Sequence, residues 1–504
     1  MFRSKSEKPS SIENVEDINQ PASNSVDWDE EYSPSEQHKI IHRIDRLLIL
    51  MSGLAYCISM IDRTNLGMAA VAGMTDDLEL AGTRYVRDDS PHFYRFLSYS
   101  LANSSQSIMI LIFFVPYVLL QPPMTVVTWK VGPRFFLGSI ILSWGAILVG
   151  MGFSKNWKHM VMTRALLGAL EAGYFPGCVY LLSSWYARYD VRKRFSIFYL
   201  FGCVASALAG VLAYGLSQMD GIQGIQGWRW IFIMEGVLSC AVGVLAILFL
   251  VDFPDRAYKS WRFLSEKECA FIVRRINRDR ADGDAEPFSL KIFLAPSLDL
   301  KIWGFAMIFF CITTNTYAIS YFLPIILRQG MGYGVAASQC LVAPPFGLAA
   351  ILMLITSWLG DKYRMRGPIL AFNALIGIIG LPIMGFAENN AVRYFGVFLA
   401  VAGSNANVPA SMAYQANNIR GQWTRALSSA TLVGFGGIGG IVSSLVFREQ
   451  DAPIYRLGMW TTIVCNILIL LIVGALTLWF RYSNKQADDG KKIIEGSLDF
   501  RYTI

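Results

Sequence analysis

The sequence predicts an all-α membrane protein, with twelve transmembrane helices arranged as two six-helix bundles. Three observations predict it. Only 16% of the 504 residues are charged and 54% are hydrophobic, where a soluble globular chain carries roughly 25% charged residues. The apolar residues come in blocks of about 20, the length a helix needs to cross a hydrocarbon core. One long polar segment separates six such blocks from six more.

Taken in order, residues 1–46 are polar and rich in Ser, Glu, Asp and Asn. They read as a disordered cytosolic tail and lack the apolar core of a signal peptide. Spans are predicted near 47–72, 107–128, 132–153, 158–182, 194–218 and 229–251, forming the N-terminal bundle, 47–251. Residues 252–300 form a cytosolic linker that carries Arg256, Lys259, Arg262, Lys267, Arg274, Arg275, Arg278 and Arg280. The C-terminal bundle, 301–481, has spans near 301–327, 338–359, 368–387, 393–412, 426–447 and 458–480, and 482–504 is a second cytosolic tail. Six plus six is a known parallel-repeat plan for carriers.

Basic residues set the orientation. Lys39, Arg43 and Arg46 precede the first span. Arg188, Arg192, Lys193 and Arg194 lie between the fourth and fifth, Lys362, Arg364 and Arg366 between the eighth and ninth, and Arg481, Lys485, Lys491 and Lys492 after the last. All fall on one side, which the positive-inside rule makes the cytosol. The expected setting is a multi-pass protein of the plasma membrane with both termini cytosolic. Eight scattered cysteines include no CxxC pair, which gives neither a disulfide framework nor a zinc site. The four histidines form no metal-spaced pair within a span, and no GxxxxGK[ST] loop is present, which argues against ATP-driven pumping. The reading is of a monomer that is no enzyme, with no cofactor, no metal and no nucleic-acid partner. The glycines 434, 436, 437, 439 and 440 read as a helix-packing stripe.

Charges inside the spans carry the functional reading. Asp62 and Arg63 lie near the middle of the first span, where one charge costs about 2.5–3.5 kcal/mol on insertion scales. The fourth span adds Arg164 and Glu171, two turns apart and so on nearly one face. Burial favours the neutral form of a carboxyl, and a neighbouring guanidinium favours the ionised form. A carboxylate that exchanges its cation for a proton is therefore a coupling switch. The competing reading is a static ion pair between spans. Arg63 or Arg164 can also grip an anionic substrate through the planar guanidinium fork. Asn65 stands beside them. Polar candidates in the C-terminal half are Asn315, Tyr317 and Tyr321 in the seventh span, and Asn405, Gln415 and Asn418 in or after the tenth. Asp361, Lys362 and Arg364, at a cytosolic span end, read as gating charges.

The motifs assemble into a resemblance. Asp62-Arg63-Thr64-Asn65, Gly132-Pro133-Arg134, the run from Arg164 through Glu171 to Pro176-Gly177, Gly227-Trp228-Arg229-Trp230 with Glu235-Gly236, Tyr321-Phe322-Leu323-Pro324, and Asn417-Asn418 with Arg425 occur together. From Ile44 to Arg481 the chain resembles a fungal major facilitator superfamily carrier of the anion:cation symporter group, in its allantoate permease-like branch. The resemblance implies the twelve-span fold of that superfamily, alternating access, and an organic anion moved with protons. Known substrates of the branch include nicotinate, allantoate, pantothenate, biotin and small peptides. By resemblance, Asp62 and Glu171 serve proton coupling and Arg63 meets the substrate carboxylate. The tryptophan that relatives carry ahead of the paired asparagines is replaced by Tyr414-Gln415. Residues 86–106 interrupt the family pattern and contain the sequon Asn103-Ser104-Ser105, a glycosylation acceptor on the outer side. This insert reads either as translated intron or as a true outer loop.

The leading function is thus proton-linked uptake of a small carboxylate. Export of an acidic secondary metabolite is the alternative within transport, and a transporter-like nutrient sensor the alternative outside it.

Overall fold

A computed structural model of the chain describes residues 32–78, 105–186, 190–259, 263–280, 295–363, 365–420, 422–447, 451, 455–495 and 500–504. Eleven helices among the described residues are long and apolar enough to cross a membrane. In chain order they are α1 (Ser35–Asp77), α2 (Met109–Val131), α3 (Pro133–Gly152), α4 (Trp157–Trp185), α5 (Arg194–Ser217), α6 (Gly227–Phe249), α7 (Leu300–Gly330), α8 (Val335–Gly360), α9 (Gly367–Phe386), α11 (Leu427–Val446) and α12 (Arg456–Asp488). The twelfth long helix is α10 (Asn390–Asn418). It has the length but not the apolarity, because Ser404, Asn405, Asn407, Ser411, Gln415, Asn417 and Asn418 are all buried within it. A helix that hides polar groups among other helices can be poorer in apolar residues than one that faces lipid.

The two halves pack by the same rule. In the first, α1 lies on α5 and α6, α3 on α6, and α2 on α4. In the second, α7 lies on α11 and α12, α9 on α12, and α8 on α10. Each pairing recurs six helices later, as a parallel repeat requires. Glycine makes the close approaches possible. A Cβ at Gly236 would meet the backbone nitrogen of Val149 at 2.6 Å, and one at Gly145 that of Cys240 at 2.7 Å, so α3 and α6 touch backbone to backbone. The stripe on α11 is packing too: Gly436 and Gly439 face Phe309 and Thr313 of α7, and Gly437 and Gly440 face Val118 and Phe114 of α2.

Twelve sequential helices bring both ends of the bundle pair to one face, here called the terminal face. Between the bundles, α2 meets α11, α5 meets α8, and α1 meets α7. The polar links run from mid-membrane to the far face. Gln339 Nε2 donates to the Met68 carbonyl at 3.1 Å, and Arg328 donates to the Val71 carbonyl. Gly67 lies against the Tyr321 carbonyl and Gly210 against that of Gln339.

The N-terminal tail departs from expectation, and the C-terminal one folds back on the bundle. Residues 34–44, expected in a disordered tail, form a helix that Ser33 and Glu36 cap reciprocally. It buries Ile40 and Ile44 and runs on into α1. At the other end, α12 continues to Asp488 and the chain folds back. The Asn484 amide pairs with both backbone groups of Tyr502 at 2.9 Å, and the Asn418 amide pairs with those of Thr503 at 3.1 and 2.7 Å. Tyr502 stacks on Phe480 with ring centroids 4.4 Å apart.

Candidate functional site

Helix α1 brings two charges to the centre of the N-terminal bundle, and its neighbours supply their partners. Asp62 is wholly buried. Its Oδ2 accepts from Trp144 Nε1 of α3 at 3.1 Å and from Ser239 Oγ of α6 at 2.7 Å. Both partners are neutral, and Oδ1 has none.

Arg63 turns the other way, toward the second bundle. Its Nε donates to Glu171 Oε2 at 2.8 Å, its Nη2 to the Tyr117 hydroxyl at 3.0 Å, and its Nη1 to the Tyr317 hydroxyl of α7 at 3.2 Å. The guanidinium also lies 4.7 Å from the Tyr117 ring centroid, a cation–π distance. Ser59 donates to the same Glu171 oxygen at 3.2 Å.

Glu171 owes its position to a break in α4. Its helix stops there and restarts at Tyr174. Pro176 has no N–H with which to satisfy the Ala172 carbonyl one turn back. Gly168, one turn before Glu171, sits against the Phe113 carbonyl and lets α4 press onto α2.

A third group lies on the opposite flank of α1. Asn65 Nδ2 donates to Glu235 Oε2 of α6 at 3.0 Å, and Asn65 Oδ1 accepts from Arg164 Nη2 at 2.8 Å. The side chains of Asn65, Arg164 and Glu235 are all buried.

Between the bundles lies a cavity of about 70 Å³, room for roughly two or three waters at about 30 Å³ each. The N-terminal bundle lines it with Tyr56, Arg63, Tyr117, Phe175, Tyr199 and Ser206, and the C-terminal bundle with Phe309, Thr313, Thr316, Tyr317, Tyr321 and Asn405, among others. Arg63 is the only charged residue on this wall among the described residues. One cation in an aromatic, hydroxyl-dotted pocket is a setting for a small anion with a flat or apolar body.

Several expected site residues fall elsewhere. Asn65 and Arg164 are held inside the N-terminal bundle by each other. Asn315 is buried in α7 off the cavity wall, with neither amide atom hydrogen-bonded. Gln415 donates to Ser428 Oγ, and Asn418 is spent on the Tyr414 carbonyl and on Thr503. Arg63, Tyr317, Tyr321 and Asn405 line the cavity wall. Lys362 is exposed, 4.8 Å from the Trp358 ring. Arg364, Asn103 and the side chain of Asp361 lie outside the described residues. Sequence reasoning passed over Tyr56, Tyr117, Tyr199 and Phe175, because lone aromatics in apolar helices carry no periodic signal. Glu235 had a signal, being an acid inside a span like Asp62.

Twelve long helices among the described residues, in a twofold repeat closed around a central cavity with Arg63 on its wall, define a multi-pass membrane carrier. The profile of the Major Facilitator Superfamily matches residues 53–444, and the chain belongs to that family. It is 27% identical over 502 residues to the MFS transporter prlL of a fungal species, covering 99% of this chain and 97% of that one. It is 27% identical over 463 residues to the high-affinity nicotinic acid transporter of Saccharomyces cerevisiae, covering 91% and 82% of the two chains. It is 27% identical over 468 residues to the MFS-type transporter cnsO of Penicillium expansum, covering 90% and 86%. Among solved structures, a bacterial homologue of the human lysosomal transporter Spinster, in an inward-facing and occupied conformation, superposes with a TM-score of 0.59 at 14% identity. That match covers 86% of this chain and 96% of the other, and speaks for the fold alone.

Proposed function

We propose that this carrier moves a small organic carboxylate by alternating access, coupled to protons, with Arg63 meeting the carboxylate and Asp62 and Glu171 exchanging protons. The observation that carries the reading is the position of Arg63. Among the described residues it is the one charge on the cavity wall, and Glu171 holds it at 2.8 Å. An entering carboxylate and Glu171 are rivals for the same guanidinium. When substrate takes Arg63, Glu171 is left buried without a cation, and a proton restores its neutrality. Release of substrate returns Arg63 to Glu171 and expels the proton. Substrate and proton therefore travel together, and a static pair would do neither.

Tyr317 and Tyr321 face Arg63 from the C-terminal bundle and are suited to bracket the substrate, with Asn405 beyond them. The likeness to a nicotinic acid transporter supports a flat, ring-bearing monocarboxylate as the first substrate class to try. With the terminal face as the cytosol, the seal on the far side means that the structure has its cavity closed to the outside. The proposed setting is the plasma membrane, with cytosolic termini, inward transport and a monomeric carrier.

The test is uptake of labelled nicotinate, allantoate and pantothenate in cells expressing the protein, with and without a proton gradient. Accumulation of one of them that collapses with the gradient is expected. Glu171→Gln should keep exchange of that substrate yet lose uphill accumulation. Undiminished accumulation in that variant returns the pair to a structural role.

A further inference from the structure

Five ionisable side chains are buried together on α1, α4 and α6: Asp62, Arg63, Arg164, Glu171 and Glu235. Three acids face two guanidiniums, so full ionisation would leave one net negative charge in the bundle interior, at high cost. Arg63 is committed to Glu171 through a direct bond. Arg164 makes no direct contact with a carboxylate among the described residues. Its link to an acid passes through the Asn65 amide, which accepts from Arg164 and donates to Glu235. Arg164 Nε and Glu235 Oε1 have no partner.

We propose that Glu235 is a third proton-exchanging acid of this carrier, and that Asn65 relays its protonation state to Arg164. The proposal rests on the proton-coupled reading above and extends it to a residue outside the Arg63–Glu171 pair. The relay follows from donor and acceptor chemistry. A guanidinium only donates and an ionised carboxylate only accepts, so an amide between them has one satisfactory orientation. Hydrogen bonds in such a chain polarise one another, and the charge on Glu235 strengthens the hold of Asn65 on Arg164. A proton on Glu235 removes that charge, weakens the chain and loosens Arg164. The ionisable groups near enough to act on Arg164 are Tyr321, Glu171, Asp62 and Glu235, and the Phe232 ring centroid lies 5.8 Å from its guanidinium. Tyr321 is on the cavity wall, so a loosened Arg164 is next to the substrate's path. Helix α6 presents Glu235 and Ser239 one turn apart to Asn65 and Asp62, which places two acids in reach of the same helix face.

The experiment uses the full chain in lipid nanodiscs, without substrate. Infrared difference spectra between pH steps report the carbonyl stretch of buried protonated carboxyls. Wild type and Glu235→Asp should show a titrating component that Glu235→Gln loses and Glu171→Gln retains. Spectra of Glu235→Gln that superpose on wild type overturn the proposal. Asn65→Leu cuts the relay while leaving Glu235 in place, and serves if Glu235→Gln does not fold. It should keep the component but shift its midpoint, and an unmoved midpoint overturns the relay. Counterflow of labelled nicotinate is the second readout, and its pH profile should shift in both variants. If wild type moves no carboxylate, the transport reading fails while the infrared result still decides the role of Glu235.

Discussion

Replacing Arg63 by Met keeps the reach of the side chain and removes its charge. The expected cost is about 3–5 kcal/mol of folding stability, the range for breaking a buried ion pair. Burial selects that range. The Arg63 and Glu171 side chains are 5% and 0% exposed and 2.8 Å apart, whereas exposed pairs contribute about 0–1 kcal/mol. What remains behind matters more than what is lost. Glu171 Oε1 has no partner, and Oε2 would keep only the Ser59 hydroxyl at 3.2 Å. Adding Glu171→Gln to the Arg63→Met background removes the stranded carboxyl, so the double variant should recover about 2–3 kcal/mol, the upper end of couplings between contacting residues. The assay is denaturant or thermal unfolding of the four proteins in detergent, read as a double-mutant cycle. Effects that add within about 0.5 kcal/mol would refute the argument, because they would mean that the two side chains do not share one site.

Further outcomes follow from other parts of the molecule. Gly168→Ala sets a methyl group against the Phe113 carbonyl and should cost about 1–3 kcal/mol, as overpacking does, seen as a lowered unfolding temperature. Burial pushes the Tyr502 phenol up to about 12 from its ordinary 10. A folded value above the unfolded one means that the stabilisation is whole below pH 10 and lost as pH climbs toward 12. The back-folded segment should therefore loosen over that window, followed by tyrosinate absorbance in wild type against Tyr502→Phe. Amplifying the transcript across the codons for residues 86–106 tests the insert: a message without them, in a background that makes functional carrier, is expected if they are intron.

The span pattern was legible because composition and block length report directly on the solvent a helix meets. The long polar linker told where the chain divides into two bundles. The charges on α1 and α4 were legible for a related reason: a charge inside an apolar block has few explanations. What the pattern missed was pairing. Arg164 and Glu171 share a helix face, yet Arg63 is the cation that binds Glu171 while Arg164 turns to Asn65. Helical spacing gives the direction of a side chain but not which neighbour lies there. The amides of Gln415 and Asn418 misled for the same reason. An amide in a span is equally suited to a ligand or to a nearby backbone, and here Asn418 clasps Thr503. The C-terminal segment itself gave no pattern to read, since it is held by scattered groups: two side-chain amides, one stacked ring, the Lys301–Glu495 ion pair and a backbone bond from Arg366 to Ile504.

The seam that closes the bundles against each other has an unusual chemistry for a gate. Gln339 and Arg328 reach across it to the carbonyls of Met68 and Val71, and Gly67 and Gly210 rest on carbonyls of the opposite half. A backbone carbonyl is the same in every residue. The acceptors of this latch are therefore supplied whatever side chains stand at 68 and 71, while its donors come from Gln339 and Arg328 and its close approach from Gly67 and Gly210. A side chain added at Gly67 or Gly210 would wedge the seam apart, while a change at Gln339 or Arg328 removes a donor from it. An engineer who wants the carrier to favour its other conformation has those two positions to turn, both well away from the charges that would select its cargo.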